Sequence, residues 1–197
     1  MSLDPDEAAL DPRTAVLLAR IAEMPKPDLK KTPIAAYRAQ VHEFLRLLPD
    51  NPPSLAVVRD CEVAGAEGPL AARLYDVIDG ASRPALVFFH GGGFVRGDLE
   101  SHDSLCRRLS AAGGFRLMSV AYRLAPEAKF PRAALDAIAA IRAVDRDAST
   151  FGIDPDLIAI GGDSAGANLA AVAARELAIA GDVCARFQLL LYPVLRM

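Results

Sequence analysis

The sequence predicts an α/β protein with a mostly parallel sheet and helices on both of its faces. Short, continuous apolar runs are typical of strands that are buried on both faces, and segments of helical periodicity separate these runs. Such alternation favours parallel strands, because each helix carries the chain back to the start of the next strand. The runs are PALVFFH, FRLMSVAY, LIAIGGD and RFQLLLYPV.

The other elements are predicted from local signals, taken here in chain order. Asp11-Pro12 and Thr32-Pro33 each place a helix cap and a first-turn proline before apolar residues at helical spacing, which predicts two N-terminal helices. Alternating apolar positions over 55–65 and 68–78 flank a glycine-bearing turn and predict a β-hairpin. Three further helices are predicted at roughly 100–112, 131–147 and 165–180.

Composition excludes several classes of partner. The 197 residues carry a formal net charge of −3, so we expect no nucleic-acid partner, and no polybasic run indicates a membrane surface. The first ten residues lack the basic and apolar regions of a secretory signal, which predicts a cytoplasmic location. The three cysteines are widely scattered, so we predict no disulfide framework and no metal or other cofactor.

A first chemical motif lies between the third apolar run and the following helix. Residues Gly162 to Gly166 form a G-x-S-x-G pattern centred on Ser164. A serine on a tight strand-to-helix turn is a nucleophile elbow, and the glycines avoid clashes between closely approaching chains. Ser164 would then lie at a helix N-terminus, which favours a developing anion. The alternative is a glycine-rich turn with a helix-capping serine.

A second motif follows the first apolar run directly. His90 is followed by three consecutive glycines, which let backbone N–H groups point towards one position, as an oxyanion requires. An HGGG loop of this kind supplies half of the oxyanion hole in lipases and esterases, and the residue after the nucleophile supplies the other half. A phosphate-binding interpretation is disfavoured, because neither GKS, GKT nor G-x-G-x-x-G spacing is present.

HGGGF, YRLAPE and GDSAGAN, in this order, resemble the hormone-sensitive-lipase-like branch of the α/β-hydrolase family over roughly residues 84 to 193. The resemblance implies a serine carboxylesterase in which Ser164 is the nucleophile. It implies oxyanion N–H groups from Gly92, Gly93 and Ala165. It also implies supporting roles around the site for His90, Gly91, Tyr122, Arg123, Glu127 and Asp163.

The same resemblance implies the domain organisation. Residues 1–53 resemble the N-terminal cap helices over the acyl pocket, and residues 54–197 resemble the N-terminal part of the catalytic domain, truncated after the sixth strand. A small cap favours short acyl esters as substrates. We expect Asp163 itself to make hydrogen bonds within its turn.

The triad is incomplete in this sequence. In this fold the nucleophile is followed along the chain by an acid and then by a histidine, but no histidine follows Ser164. Of the histidines before it, His90 belongs to the oxyanion loop, where a structural hydrogen bond is favoured over a role as base. His102 is an alternative, surrogate base. His42 is predicted on the solvated side of an N-terminal helix.

Two classes of function remain open from the sequence. The first is a serine carboxylesterase represented here by its N-terminal part, whose small-molecule ester reacts through an acyl-serine intermediate and whose chain alone is nearly inactive. The second is a non-catalytic small-molecule binding module similar to the gibberellin receptor. The last strand would expose an apolar edge, so we expect either self-association or a C-terminal fragment that completes the sheet.

Overall fold

The computed structural model describes residues 11–24, 27–28, 31–46, 50–80, 82–182 and 185–195. Residues 1–10, on which the prediction of a cytoplasmic location rests, lie outside these ranges. The chain divides into two compact units, residues 1–37 and 38–197. In the first unit, helix α1 (Pro12–Glu23) is capped by Asp11, whose carboxylate accepts a hydrogen bond from the Arg13 N–H at 2.8 Å. Helix α2 (Ile34–Arg46) begins in the first unit and ends in the second.

The second unit is built on a sheet of six strands in the order β1-β2-β4-β3-β5-β6. The predicted hairpin is β1 and β2, and β2 also pairs antiparallel with β4, whereas β3 pairs parallel with both β4 and β5, and β5 pairs parallel with β6. The strands are β1 (Val57–Gly65), β2 (Gly68–Asp76), β3 (Arg83–Phe89), β4 (Arg116–Val120), β5 (Ile153–Asp163) and β6 (Phe187–Leu191). The predicted α/β fold with a mostly parallel sheet is confirmed.

Helices cover both faces of the sheet because successive residues of the central strands point in opposite directions. In β3, Val87 and Phe89 pack into one apolar cluster, while Leu86 and Phe88 pack into the other. Helices α4 (Arg132–Arg146) and α5 (Ala165–Ala180) contribute to the first cluster, and α3 (Asp103–Gly113) contributes to the second. The continuous apolar runs of the sequence therefore do mark strands that are buried on both faces.

One detail differs from the sequence-based expectations. Strand β5 begins at Ile153 rather than at Leu157, because Ile153 pairs with Arg83 across a register shift in β3. As expected from the sequence, strand β6 lies at the edge of the described sheet, and Phe187 in it is 65% exposed. No helix in the described part of the chain is both long and apolar enough to cross a membrane.

Candidate active site

Ser164 lies between β5 and α5 in a strained turn. Its φ of 51° and ψ of −114° place a residue with a side chain in a region that costs on the order of 1–3 kcal/mol. Neighbouring backbone holds the turn, because the Ser164 N–H donates to the Leu191 carbonyl at 2.9 Å and the Asn168 N–H donates to the Ser164 carbonyl at 3.1 Å. The serine side chain is therefore presented at the carboxyl end of β5, at the N-terminus of α5.

The glycines on either side of this turn are required by space. A Cβ built on Gly166 would lie 1.8 Å from the Phe89 carbonyl oxygen, and a Cβ built on Gly162 would lie 2.4 Å from the same atom. Real Cβ atoms essentially never approach another atom this closely. The backbone at the end of β3 thus passes directly against the turn, and this contact brings the glycine loop beside the candidate nucleophile.

The glycine loop after β3 has the backbone that an anion site needs. Gly92 and Gly93 have φ angles of 127° and 64°, which L side chains rarely adopt. Neither residue donates its N–H to another backbone group among the described residues, and Ala165, the first residue of α5, has no intrahelical acceptor for its own N–H. These N–H groups are the ones that the family resemblance implies for an oxyanion hole.

Asp163 connects the turn to the glycine loop. Its carboxylate accepts hydrogen bonds from the Gly91 N–H at 2.8 Å and from the Tyr192 hydroxyl at 3.2 Å, and its Oδ1 lies 3.3 Å from Nε2 of His102. Burial alone would raise the pKa of Asp163, but the donors from His102, Gly91 and Tyr192 together hold it below its usual value. The sequence predicts hydrogen bonds of Asp163 within its own turn, but the partners of its carboxylate lie in distant segments of the chain.

His90 is a buried, neutral residue beneath the loop. Its ring stacks on Tyr122 with a centroid separation of 4.5 Å, and its Nδ1 lies 2.9 Å from the Gly91 carbonyl, so Nδ1 carries the proton. The Tyr122 hydroxyl donates to the His90 carbonyl at 2.8 Å. Burial lowers the pKa of His90 to about 4, with a smaller opposing effect from the Gly91 carbonyl.

This shift predicts an acid-sensitive stability. Because the pKa of His90 is about 4 in the folded chain, whereas an unperturbed histidine has a pKa of 6.5, the folded state binds fewer protons between these values. Neutral His90 therefore contributes its full stabilisation of the folded state above pH 6.5, and this stabilisation is lost as the pH falls towards 4. The free energy of unfolding decreases by about 3 kcal/mol over this range. Urea unfolding at several pH values measures it, and His90→Asn should flatten the curve. Parallel losses in both proteins would contradict the prediction.

The YRLAPE segment is tied to the glycine loop by a residue of α2. Arg38 donates from Nε to the Val95 carbonyl at 2.8 Å and pairs through two nitrogens with Glu127, at 2.6 Å for the closer contact. The Arg38 guanidinium lowers the pKa of Glu127. Arg123, in turn, binds the fully buried carboxylate of Asp136. Glu127 and Arg123 therefore brace the loops rather than face Ser164.

In the hydrogen bonds and ion pairs that the structure gives, each of the three histidines contacts a group other than the Ser164 hydroxyl. His42 is half-buried and pairs with Asp98 at 2.8 Å, which differs from the predicted solvated position. His102 faces Asp163, and His90 faces Gly91. Among the described residues, no group of three or more His, Cys, Asp or Glu side chains is placed to hold a metal ion.

Sequence reasoning missed two hydrogen bonds that join the elbow region to the segment after β6. The Asn168 side chain donates to the Val194 carbonyl at 2.7 Å, and Tyr192 reaches Asp163. The position of Tyr192 near the elbow could have been predicted, because Tyr192 directly follows the strand that neighbours β5 and so lies at the same edge of the sheet.

Comparison with known proteins fits this geometry. The sequence profile for the alpha/beta hydrolase fold matches residues 86–197, which include the glycine loop, the elbow and the strand beyond it. The chain belongs to the alpha/beta hydrolase family. The resemblance to its hormone-sensitive-lipase-like esterases is also confirmed.

Related proteins are esterases. Esterase LipI of Mycobacterium tuberculosis is 44% identical over 78% of this chain and 49% of its own length. Ethyl acetate hydrolase of Pseudomonas putida is 35% identical over 98% of this chain and 62% of its own length. The chain thus spans about half to three fifths of the length of these relatives.

Solved structures agree with the sequence relatives. An esterase of Pyrobaculum calidifontis has a TM-score of 0.85 and 38% identity over 98% of this chain and 60% of its own. The carboxylesterase EstE1, cloned from a metagenomic library, has a TM-score of 0.79 and 44% identity over 84% of this chain and 57% of its own.

Proposed function

We propose that this chain is part of a serine carboxylesterase that cleaves esters through an acyl-Ser164 intermediate. The observation that carries the proposal is the contact of the elbow with the glycine loop, in which Gly162 and Gly166 pack against the end of β3. A carbonyl carbon next to Ser164 would then have N–H groups from Gly92, Gly93 and Ala165 available for its oxygen. We propose that the triad acid and base come from residues beyond 197, since the relatives are longer.

The mechanism follows from these positions. The Ser164 hydroxyl attacks the ester carbonyl while the general base takes its proton, and the negative charge moves to the carbonyl oxygen. Expulsion of the alcohol, which receives that proton, leaves the acyl group on Ser164, and water then releases the acid by the same route. The strained turn and the Asp163 link keep nucleophile and donors in place between these steps.

A covalent probe tests the proposal. The longer polypeptide, meaning this chain extended through the acid and base residues, should react with a fluorophosphonate at one site, mapped by mass spectrometry to Ser164. The Ser164→Ala variant should neither be labelled nor hydrolyse an ester, while Ser149→Ala, a serine remote from the elbow, should behave as wild type. Labelling elsewhere, or ester turnover that persists in Ser164→Ala, would refute the proposal.

We further propose short acyl esters as the substrates. The support is the small size of the N-terminal segment 1–53, which we propose as the cap, together with the names of two relatives, ethyl acetate hydrolase and acetyl esterase. Acetyl and butyryl esters should therefore give a higher kcat/KM than esters of long fatty acids. A preference for long chains would overturn this part alone.

The edge of β6 predicts self-association of residues 1–197. Strand β6 pairs with β5 on one side, and within the described ranges no strand pairs with its other side, which presents backbone donors and acceptors beside the apolar Phe187. We expect light scattering after size exclusion to give a mass above 20.9 kDa.

A charge placed on the edge of β6 distinguishes association through this strand from non-specific hydrophobic association. Phe187→Lys should restore the monomer, because a lysine on an edge strand opposes pairing. Ile179→Lys is the matched control, since Ile179 is equally exposed but lies on α5. A monodisperse wild-type monomer at high concentration, or equal rescue by both variants, would contradict edge pairing.

A further inference from the structure

Asp163 and its partners form a buried polar cluster that the proposed ester hydrolysis does not use directly. Its side chain is 7% exposed and collects donors from three separate segments: the glycine loop, the start of α3 and the end of β6. Asp163 immediately precedes Ser164, and Gly91 immediately precedes the two glycines assigned to the oxyanion. A single carboxylate therefore links the residue beside the nucleophile to the residue beside the oxyanion donors.

His102 is held in this cluster by both of its ring nitrogens. Nε2 faces the Asp163 carboxylate, which can only accept, so Nε2 donates. Nδ1 lies 2.9 Å from the Ser101 hydroxyl, and that hydroxyl is itself bound to the backbone of Asp98. Asp98 pairs with His42 of α2, so the chain of polar contacts continues from the elbow to this helix.

This arrangement argues against a surrogate base. A general base must offer an unprotonated nitrogen to the Ser164 hydroxyl, whereas Nε2 of His102 points its proton at Asp163. The ring is also packed near His90, with a centroid separation of 5.4 Å, and its side chain is 16% exposed. The geometry is that of a donor fixed on a carboxylate.

We propose that His102 is a positioning residue, which acts through Asp163 to hold the Gly91 N–H and hence the Gly92 and Gly93 donors against the Ser164 elbow. The proposal rests on the proposed ester hydrolysis for its effect on rate. Hydrogen bonds to a carboxylate are the stronger class, so Asp163, with the Gly91 N–H at 2.8 Å and Nε2 of His102 at 3.3 Å, holds both ends of the loop after β3 against the elbow. A donor displaced by about 1 Å can cost about 10²-fold in rate.

Two polar substitutions test the proposal in the longer polypeptide. His102→Gln keeps an amide donor near the position of Nε2, and His102→Asn keeps one near Nδ1 but withdraws it from Asp163. We expect His102→Gln to retain kcat within about threefold and His102→Asn to lose about 10–100-fold in kcat with little change in KM, because displaced oxyanion donors act on the transition state. Arg175→Gln, an exposed position of α5, is the control.

The kcat values of the two variants distinguish a positioning role of His102 from a role as general base. If His102 were the base, His102→Gln would be as inactive as His102→Asn, and the proposal would fail. It would also fail if both variants kept wild-type kcat. A melting curve for each variant shows whether it folds, and if His102→Asn does not, the rate of His102→Gln still decides between base and positioning residue.

A second readout does not depend on catalysis. In the 197-residue chain, hydrogen exchange of a peptide covering residues 90–97 should be faster in His102→Asn than in His102→Gln, because the Gly91 N–H loses its fixed acceptor. Equal exchange in both variants would overturn the positioning role even if the polypeptide proved not to hydrolyse esters. An inactive wild type with the expected exchange difference would refute the proposed function and leave the link between His102 and the loop established.

Discussion

Residues 1–197 on their own should turn over an acyl ester about 10⁶-fold more slowly than the longer polypeptide, because loss of the base from a serine triad costs about that factor in kcat. The reason lies in where the histidines are held. His90 is buried with a lowered pKa and its Nδ1 proton faces Gly91, while His102 and His42 face carboxylates. In none of these contacts does a histidine ring nitrogen bind the Ser164 hydroxyl.

The short chain should nevertheless retain a trace of catalysis. The oxyanion donors and substrate binding survive loss of the base and together preserve about 10³–10⁴-fold over water. Intact-mass measurement must first show that the preparation contains no longer species, and hydrolysis of an activated acetyl ester is then followed for both polypeptides. Ordinary enzyme rates from the short chain would contradict the prediction and make His102 the first residue to substitute.

The sequence predicted the fold well because its signals are local. The apolar runs that became β3, β4, β5 and β6 are continuous in sequence, and the hairpin has its turn between the paired strands. The placement of the HGGG loop beside the GDSAG elbow was also predictable, since parallel neighbouring strands end at the same edge of a sheet. Periodicity and motif order are enough for these features.

The polar links around the elbow could not be predicted in the same way. Asp163 meets Gly91 and His102 across more than sixty positions of the chain, and no periodic pattern marks which donor will fill a given acceptor. The expectation of local turn hydrogen bonds for Asp163 failed because its carboxylate meets donors from the glycine loop, the start of α3 and the segment after β6 instead. His42 shows the same difficulty, since its partner Asp98 lies in a loop.

Gly166→Ala should remove the active-site geometry and a large part of the stability, although alanine is the better helix former. Gly166 is the second residue of α5, so helix propensity alone would make the change favourable. The added Cβ, however, would lie 1.8 Å from the Phe89 carbonyl oxygen and 2.6 Å from that of His90, which are backbone atoms of β3 and the loop after it. Neither atom can rotate away, so α5 must move off the sheet or β3 must bend.

Either movement separates the elbow from the oxyanion donors. We expect the free energy of unfolding to fall by about 3 kcal/mol or more, at the upper end of the overpacking range, and fluorophosphonate labelling of Ser164 in the longer polypeptide to be lost. Gly181→Ala is the matched control, because nothing lies within 4 Å of its Cβ and its φ of 79° imposes a cost of only about 1–2 kcal/mol. Urea unfolding of both variants measures the difference. A Gly166→Ala protein as stable as Gly181→Ala, and still labelled, would show that β3 and α5 are not in the close contact from which the site is built.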